Sequence, residues 1–125
     1  MATNNQTGEQ FEYRLNTPID YVSYPVKTFD NLEKLELNLP TEFNFLSVAQ
    51  FGPRKNLPNT VKWFIEEFHD DNVGLVVKTN MAKNCLMDRE IVINNLKNIV
   101  NQFPDRKCKV YLLHGEMTDK EMHTL

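Results

Sequence analysis

Apolar positions along the chain follow two rhythms, and the switch between them marks the elements. Phe43, Phe45, Leu46, Val48 and Ala49 crowd a short run that stops at Gly52-Pro53, which predicts a first strand over about Phe43 to Ala49. Val61, Phe64, Ile65 and Phe68 then fall at i, i+3, i+4 and i+7, with Lys62, Glu66 and Glu67 on the opposite side. That spacing predicts an amphipathic helix over about Pro58 to His69. Pro58 suits its first turn, where a missing N–H costs nothing, and Asp70-Asp71-Asn72 supplies a turn after it. Val73 to Lys78 is an apolar run interrupted by Gly74, as expected of a strand buried on both faces. Asn80 to Met87 reads as a loop and Asp88 as the cap of a second helix. Val92, Leu96, Ile99, Val100 and Phe103 form its buried stripe, and Pro104 ends it. A third strand follows over about Lys107 to Leu113. Thr118-Asp119-Lys120-Glu121 then matches a capping box and announces a last helix before Leu125.

The order β-α-β-α-β-(α) predicts an α/β fold. It corresponds to a Rossmann-like, three-layer half of a doubly wound parallel sheet with strand order 3-2-1, because crossovers between parallel strands are right-handed. A capping box followed by barely two turns reads as a cut domain. The other half would add strands beside strand one, so here that strand is expected to be an exposed apolar edge, open to pairing with a second copy as a homodimer. Residues 1–20 are poor in apolar side chains and are expected to be a flexible tail. Tyr21 to Val26 reads as a short extended connector. Phe29 to Pro40 reads as a lead-in that packs Leu32, Leu35, Leu37 and Leu39 on the domain, which spans 21–125. Trp63 lies off the helical stripe and is expected to pack between helix one and this lead-in.

Composition narrows the class without selecting a function. The chain has 125 residues, 41% hydrophobic and 25% charged, enough for one domain with one core. A net charge of -3 gives no general reason to expect nucleic-acid binding. No run approaches the roughly 18 apolar residues of a transmembrane helix, and the first residues, MATNNQTGEQ, lack the apolar core of a secretory signal. Cys85 and Cys108 are then expected to be idle thiols in a cytoplasmic protein.

The candidate chemistry gathers at strand ends. Arg54 and Lys55 follow strand one directly and precede a helix N-terminus. Unpaired N–H groups and a partial positive charge there attract anions, and ligands of parallel α/β sheets bind at this carboxyl edge. Lys78 ends strand two and His114 ends strand three on the same edge. Each has a plainer reading: solvated turn charges for Arg54 and Lys55, a side chain reaching water for Lys78, a satisfied structural histidine for His114. His114, Glu116, Glu121 and His123 fit no standard zinc spacing, so no metal is expected. Neither G-x-G-x-x-G nor G-x-x-x-x-G-K-[ST] occurs.

The runs FLSVAQFGPRKNLPNTVKWFIEEF, VGLVVKTN and KCKVYLLHGEMTDKEMHTL together resemble the C-terminal, donor-binding domain of GT-B-fold glycosyltransferases, with most likeness to the group-1, retaining type. The resemblance covers about residues 21–125, with YPVK at Tyr24 to Lys27 similar to the entry from an interdomain linker. It implies a parent enzyme that transfers a sugar from a nucleotide-sugar donor, with no cofactor or metal. Lys55 matches the lysine that holds the donor diphosphate. Gln50 stands where the family usually has an arginine, and Arg54 would supply that charge. His114, Gly115, Glu116 and Met117 match the turn whose backbone meets the base, with His114, Gly115 and Met117 as contacts and Lys78 facing the same ligand. The family's downstream acidic signature has no counterpart. The resemblance therefore implies a substrate-binding fragment without catalytic residues and inactive alone, for which UDP, GDP and ADP donors fit equally. A competing reading, from another class, is a non-catalytic α/β module that holds a protein partner along its open edge.

Overall fold

A computed structural model describes residues 20–30 and 32–125, and the chain divides into two units, Met1–Glu33 and Lys34–Leu125. The described part of the first unit carries no helix or strand and leaves Tyr21, Val22, Tyr24 and Val26 exposed. The tail expected over residues 1–20 lies, but for its last residue, outside the described residues.

In the second unit the elements run β1 (Phe43–Val48), a 3-10 turn (Pro53–Lys55), α1 (Leu57–Glu67), β2 (Val73–Thr79), α2 (Leu86–Val100), β3 (Lys109–His114) and α3 (Asp119–Thr124). The three strands form one parallel sheet in the order β1-β2-β3, the 3-2-1 order of the α/β reading counted from its other edge. Phe45 pairs with Leu75 and Leu75 with Val110, so the strands end almost flush, Val48 beside Lys78 and Thr79 beside His114.

Side-chain alternation sorts the core. Leu75 and Val77 of β2 share one buried cluster with Leu57, Val61, Phe64 and Ile65 of α1, Val92 and Leu96 of α2, and Cys108. Both long helices therefore cover the same face of the sheet, as two successive right-handed crossovers in one direction require. Val61, Ile65, Val77 and Val92 are fully buried. Each such side chain stabilises the fold by about 1.5–3 kcal/mol relative to an exposed one. At the β1 end, Phe45 forms a triangle of rings with Phe64, edge-on at 5.8 Å between centroids, and Phe68, tilted at 5.0 Å, and Phe43 meets Phe45 edge-on at 5.0 Å.

On the other face Tyr111 lies over Gly74. A Cβ on Gly74 would stand 2.7 Å from Tyr111 Cε2 and 2.9 Å from Thr41 Oγ1, besides meeting Asn44 Oδ1. Thr41, only 7% exposed, donates to Asn44 at 2.5 Å and reaches the Tyr111 hydroxyl at 3.3 Å. The lead-in thus packs on this face by its end, with Leu35, Leu37 and Leu39 half-buried in alternation. The Leu35 N–H donates to the Thr124 carbonyl of α3 at 3.3 Å.

Several boundaries depart from expectation for identifiable reasons. Asp88 does not cap α2. Cys85 holds the cap, its sulfur accepting from the Asp88 N–H at 3.4 Å, and Asp88 sits three residues inside. That frees the Asp88 carboxylate for other partners. The helix ends at Val100 rather than at Pro104, because Arg106 Nη1 donates to the carbonyls of Val100 and Phe103 at 3.1 and 2.9 Å and closes the last turn. Trp63 is 58% exposed, not packed away. The capping box forms as expected: Thr118 and Glu121 exchange their side-chain and backbone bonds, and these bonds hold the Glu121 carboxyl below its usual 4.5.

Candidate functional site

The carboxyl ends of the three strands make one rim. Beyond β1 the chain still runs beside β2, through Ala49 N–H to the Lys78 carbonyl at 3.1 Å and Phe51 N–H to the Asn80 carbonyl at 2.8 Å. The exposed Gln50 side chain donates to the Met81 carbonyl at 2.7 Å and so ties the first loop to the second. The chain then turns through Gly52 and Pro53. Arg54 and Lys55 stand exposed on the 3-10 turn, which closes with Lys55 N–H on the Gly52 carbonyl at 3.1 Å.

Asn56, in the left-handed conformation with φ 50°, joins this turn to α1. Its side chain accepts from the Asn59 amide at 2.8 Å and does not cap the helix. The first turn of α1 holds no acidic residue. The positive end of α1 and the two cations thus lie together with no carboxylate in that turn.

At the end of β2, Lys78 is 8% exposed and its ammonium donates to the Gly115 carbonyl. Gly115 is buried, with φ +113°, a conformation that L side chains rarely adopt. Its missing Cβ would meet Asn84 Oδ1 at 3.0 Å. Lys78 therefore fixes the turn after β3 from below and does not open into solvent, because the neighbouring strand end covers it.

His114 is likewise taken up internally. Its side chain is 3% exposed, and Nε2 lies 2.8 Å from Asp88 Oδ2. The carboxylate can only accept, so that nitrogen carries the proton. Asp88 also accepts from the N–H groups of Met81 and Ala82, both at 2.9 Å. One carboxylate thereby pins the loop after β2, the first turn of α2 and the end of β3. The Met81 N–H, then His114 and the Ala82 and Lys83 N–H groups, outweigh burial and hold the Asp88 carboxyl at about 2, against an ordinary 3.8.

The folded state binds the Asp88 proton less readily than the unfolded chain, so the contribution is complete above about pH 4 and is lost as pH falls through about 2. Urea melts across that window should show Asp88→Asn less acid-sensitive than the parent chain. Equal acid slopes for the two proteins would contradict the assignment.

Of the sequence candidates, Gln50, Arg54, Lys55, Lys78, His114 and Gly115 all come to this rim, and Met117 lies half-buried just beyond it. Only Arg54 and Lys55 present a cation outward. Sequence reasoning missed the anchoring role of Asp88. Its signal was an acid seven residues after Met81 and next to a helix start, which a cap explains equally well. Among the described residues no three His, Cys, Asp or Glu side chains are grouped to hold a metal ion. Both cysteines are free; burial raises the Cys108 thiol above 9.0, and Cys85 is exposed. Among the described residues no helix is long and apolar enough to cross a membrane.

No family model matches the chain, and neither a curated protein nor a solved structure matches it.

Proposed function

We propose that this domain binds the diphosphate and base of a nucleotide-sugar donor at the carboxyl rim of its sheet, as the donor-binding part of a GT-B-fold, retaining-type glycosyltransferase in the cytoplasm. One observation carries the reading: Arg54 and Lys55 stand exposed on the turn between β1 and the uncapped N-terminus of α1. A diphosphate there would meet two cations and the positive end of a helix. Lys55, with Arg54 beside it, would neutralise the departing diphosphate as the sugar–phosphate bond breaks. Gln50 lines the same loop and offers an amide rather than a charge. Lys78 and His114 act indirectly: they hold the Gly115 turn, whose backbone and Met117 would receive the base. The resemblance of the three sequence runs supports the sugar-transfer part of the reading.

Titration calorimetry with UDP, GDP and ADP tests it. One nucleotide should bind, and Lys55→Ala should weaken it by roughly tenfold or more, the loss expected for a charge-assisted hydrogen bond. Failure of all three to bind at millimolar concentration, or binding indifferent to removal of both Lys55 and Arg54, would overturn the proposal.

A second reading, a non-catalytic module that holds a protein along its open edge, is favoured by the exposure of Phe43, Phe45, Leu46 and Val48 on β1, from 37% to 58%.

A further inference from the structure

β1 is an edge strand of unusual composition. Among the described residues nothing pairs with its outer side, and FNFLSV carries no charge, proline or glycine. Edge strands generally carry such residues to prevent pairing with other chains. The backbone directions along β1 are fixed by its continuation. Ala49 and Phe51 donate toward β2, so the odd residues face β2 and the even ones, Asn44, Leu46 and Val48, turn their N–H and C=O groups to the open edge.

Charge chooses the partner and its direction. Arg54 and Lys55 stand exposed beyond one end of β1, while Glu42, Asp70 and Asp71 stand exposed at its other end, with the exposed Lys107 and Lys109 of that end of the sheet set apart at β3. Glu42 is fastened there to Asn72 through both backbone and side chain, at 3.1 and 3.3 Å. A second copy laid antiparallel along β1 brings the basic end of each chain beside the acidic end of the other. A parallel arrangement would bring like beside like.

We infer that β1 pairs antiparallel with β1 of a second copy of this chain about a two-fold axis at Leu46, extending the sheet to 3-2-1-1-2-3. In this register Asn44 lies opposite Val48 of the second copy and Leu46 opposite its own mate, so every outward backbone group of β1 finds a partner. Phe45 falls opposite Ser47 on the helix-covered face, and both sets of helices lie on the same side. The contact is isologous and closes at two copies. A six-residue edge lies at the small end of protein interfaces, so the dimer is a weak one, with the rim charges setting its direction more than its strength. The inference rests on the edge and not on the ligand reading, and the nucleotide titration remains a separate result.

Sedimentation equilibrium of the 125-residue chain at increasing concentration tests it. A monomer–dimer equilibrium is expected, weakened by added salt. Leu46→Lys, at a position 47% exposed and so compatible with folding, places like charges across the axis and should weaken the dimer by roughly tenfold. Val48→Lys, 52% exposed, should do likewise. Mixing Leu46→Lys with Leu46→Glu should restore association, since the register sets them face to face. A chain monomeric up to about 1 mM would overturn the inference. So would a dimer indifferent to Leu46→Lys, a mixture that stays monomeric, or oligomers that keep growing by seating β1 beside β3.

Discussion

Gly74→Ala should destabilise the domain by roughly 3 kcal/mol and lower its melting temperature by roughly 15 °C. Two effects compete at this position. An alanine would restrict the unfolded chain and favour folding by about 0.4–1 kcal/mol. Against this, the new methyl group would meet Asn44 Oδ1 most closely of all, and would stand 2.7 Å from the Tyr111 ring and 2.9 Å from Thr41 Oγ1. A flexible side-chain end could step aside, but these atoms restrain one another. Thr41 bonds Asn44 and reaches the Tyr111 hydroxyl, and Tyr111 is on the strand paired with β2. The ring must tilt and the Thr41 contacts must break, so the steric cost wins. Thermal and urea melts measure it, and Gly74→Val should be worse. Because the Tyr111 ring is one of the three groups the methyl would meet, beside Asn44 Oδ1 and Thr41 Oγ1, pairing Gly74→Ala with Tyr111→Ala should cost less than the two single changes added together. A Gly74→Ala protein as stable as its parent would show that the ring does not rest where the contacts place it.

Asp88→Ala should have the next largest effect, a fall in melting temperature of roughly 10 °C. The carboxylate gathers Met81 N–H, Ala82 N–H and His114 Nε2 within 2.9 Å, and both it and the histidine side chain are almost wholly buried. Removing it leaves those donors without their acceptor at a place water reaches poorly, which costs more than the bonds themselves contribute. The loss should be local as well as global. Amide exchange at Met81 and Ala82 should lose its protection, while amides of β2 around Val76 keep theirs relative to the lowered stability. His114→Ala removes only one of the three donors and should cost less, and the double variant should fall short of the sum. Unchanged exchange at Met81 and Ala82 in Asp88→Ala would remove Asp88 from this anchoring role.

The rim illustrates how unevenly a sequence reveals its site. Arg54 and Lys55 could be read directly because their setting is local: a strand stop at Gly52-Pro53, two cations, then a helix start. Lys78 and His114 were equally visible as residues at strand ends, yet what they touch depends on the register of β2 against β3. That register sets Lys78 beside Leu113 and Thr79 beside His114, which delivers the Lys78 ammonium to the Gly115 carbonyl and leaves it buried. The partnership of His114 with Asp88 spans 26 residues, and no short-range spacing announces it.

Hydrophobic period, joined by the capping box that announced α3, determined the elements and their order. The i, i+3, i+4, i+7 stripe of α1 buries Val61, Phe64 and Ile65, and the apolar run of β2, interrupted by Gly74, lies in a strand buried along nearly its whole length. Helix and strand impose different repeats on which side chains share a face, and that preference is written locally. The parallel order of the strands followed from the handedness of crossovers, a rule of chirality that holds for any such sequence. Tertiary structure alone decided which polar groups are spent inside the fold and which face outward. Asp88 moved from cap to anchor because Cys85 took the cap, Arg106 closed α2 before Pro104 was reached, and Gly74 became obligatory once Tyr111 crossed it. Each of these depends on atoms brought together from distant parts of the chain, where burial makes an unmatched donor or an extra methyl group expensive.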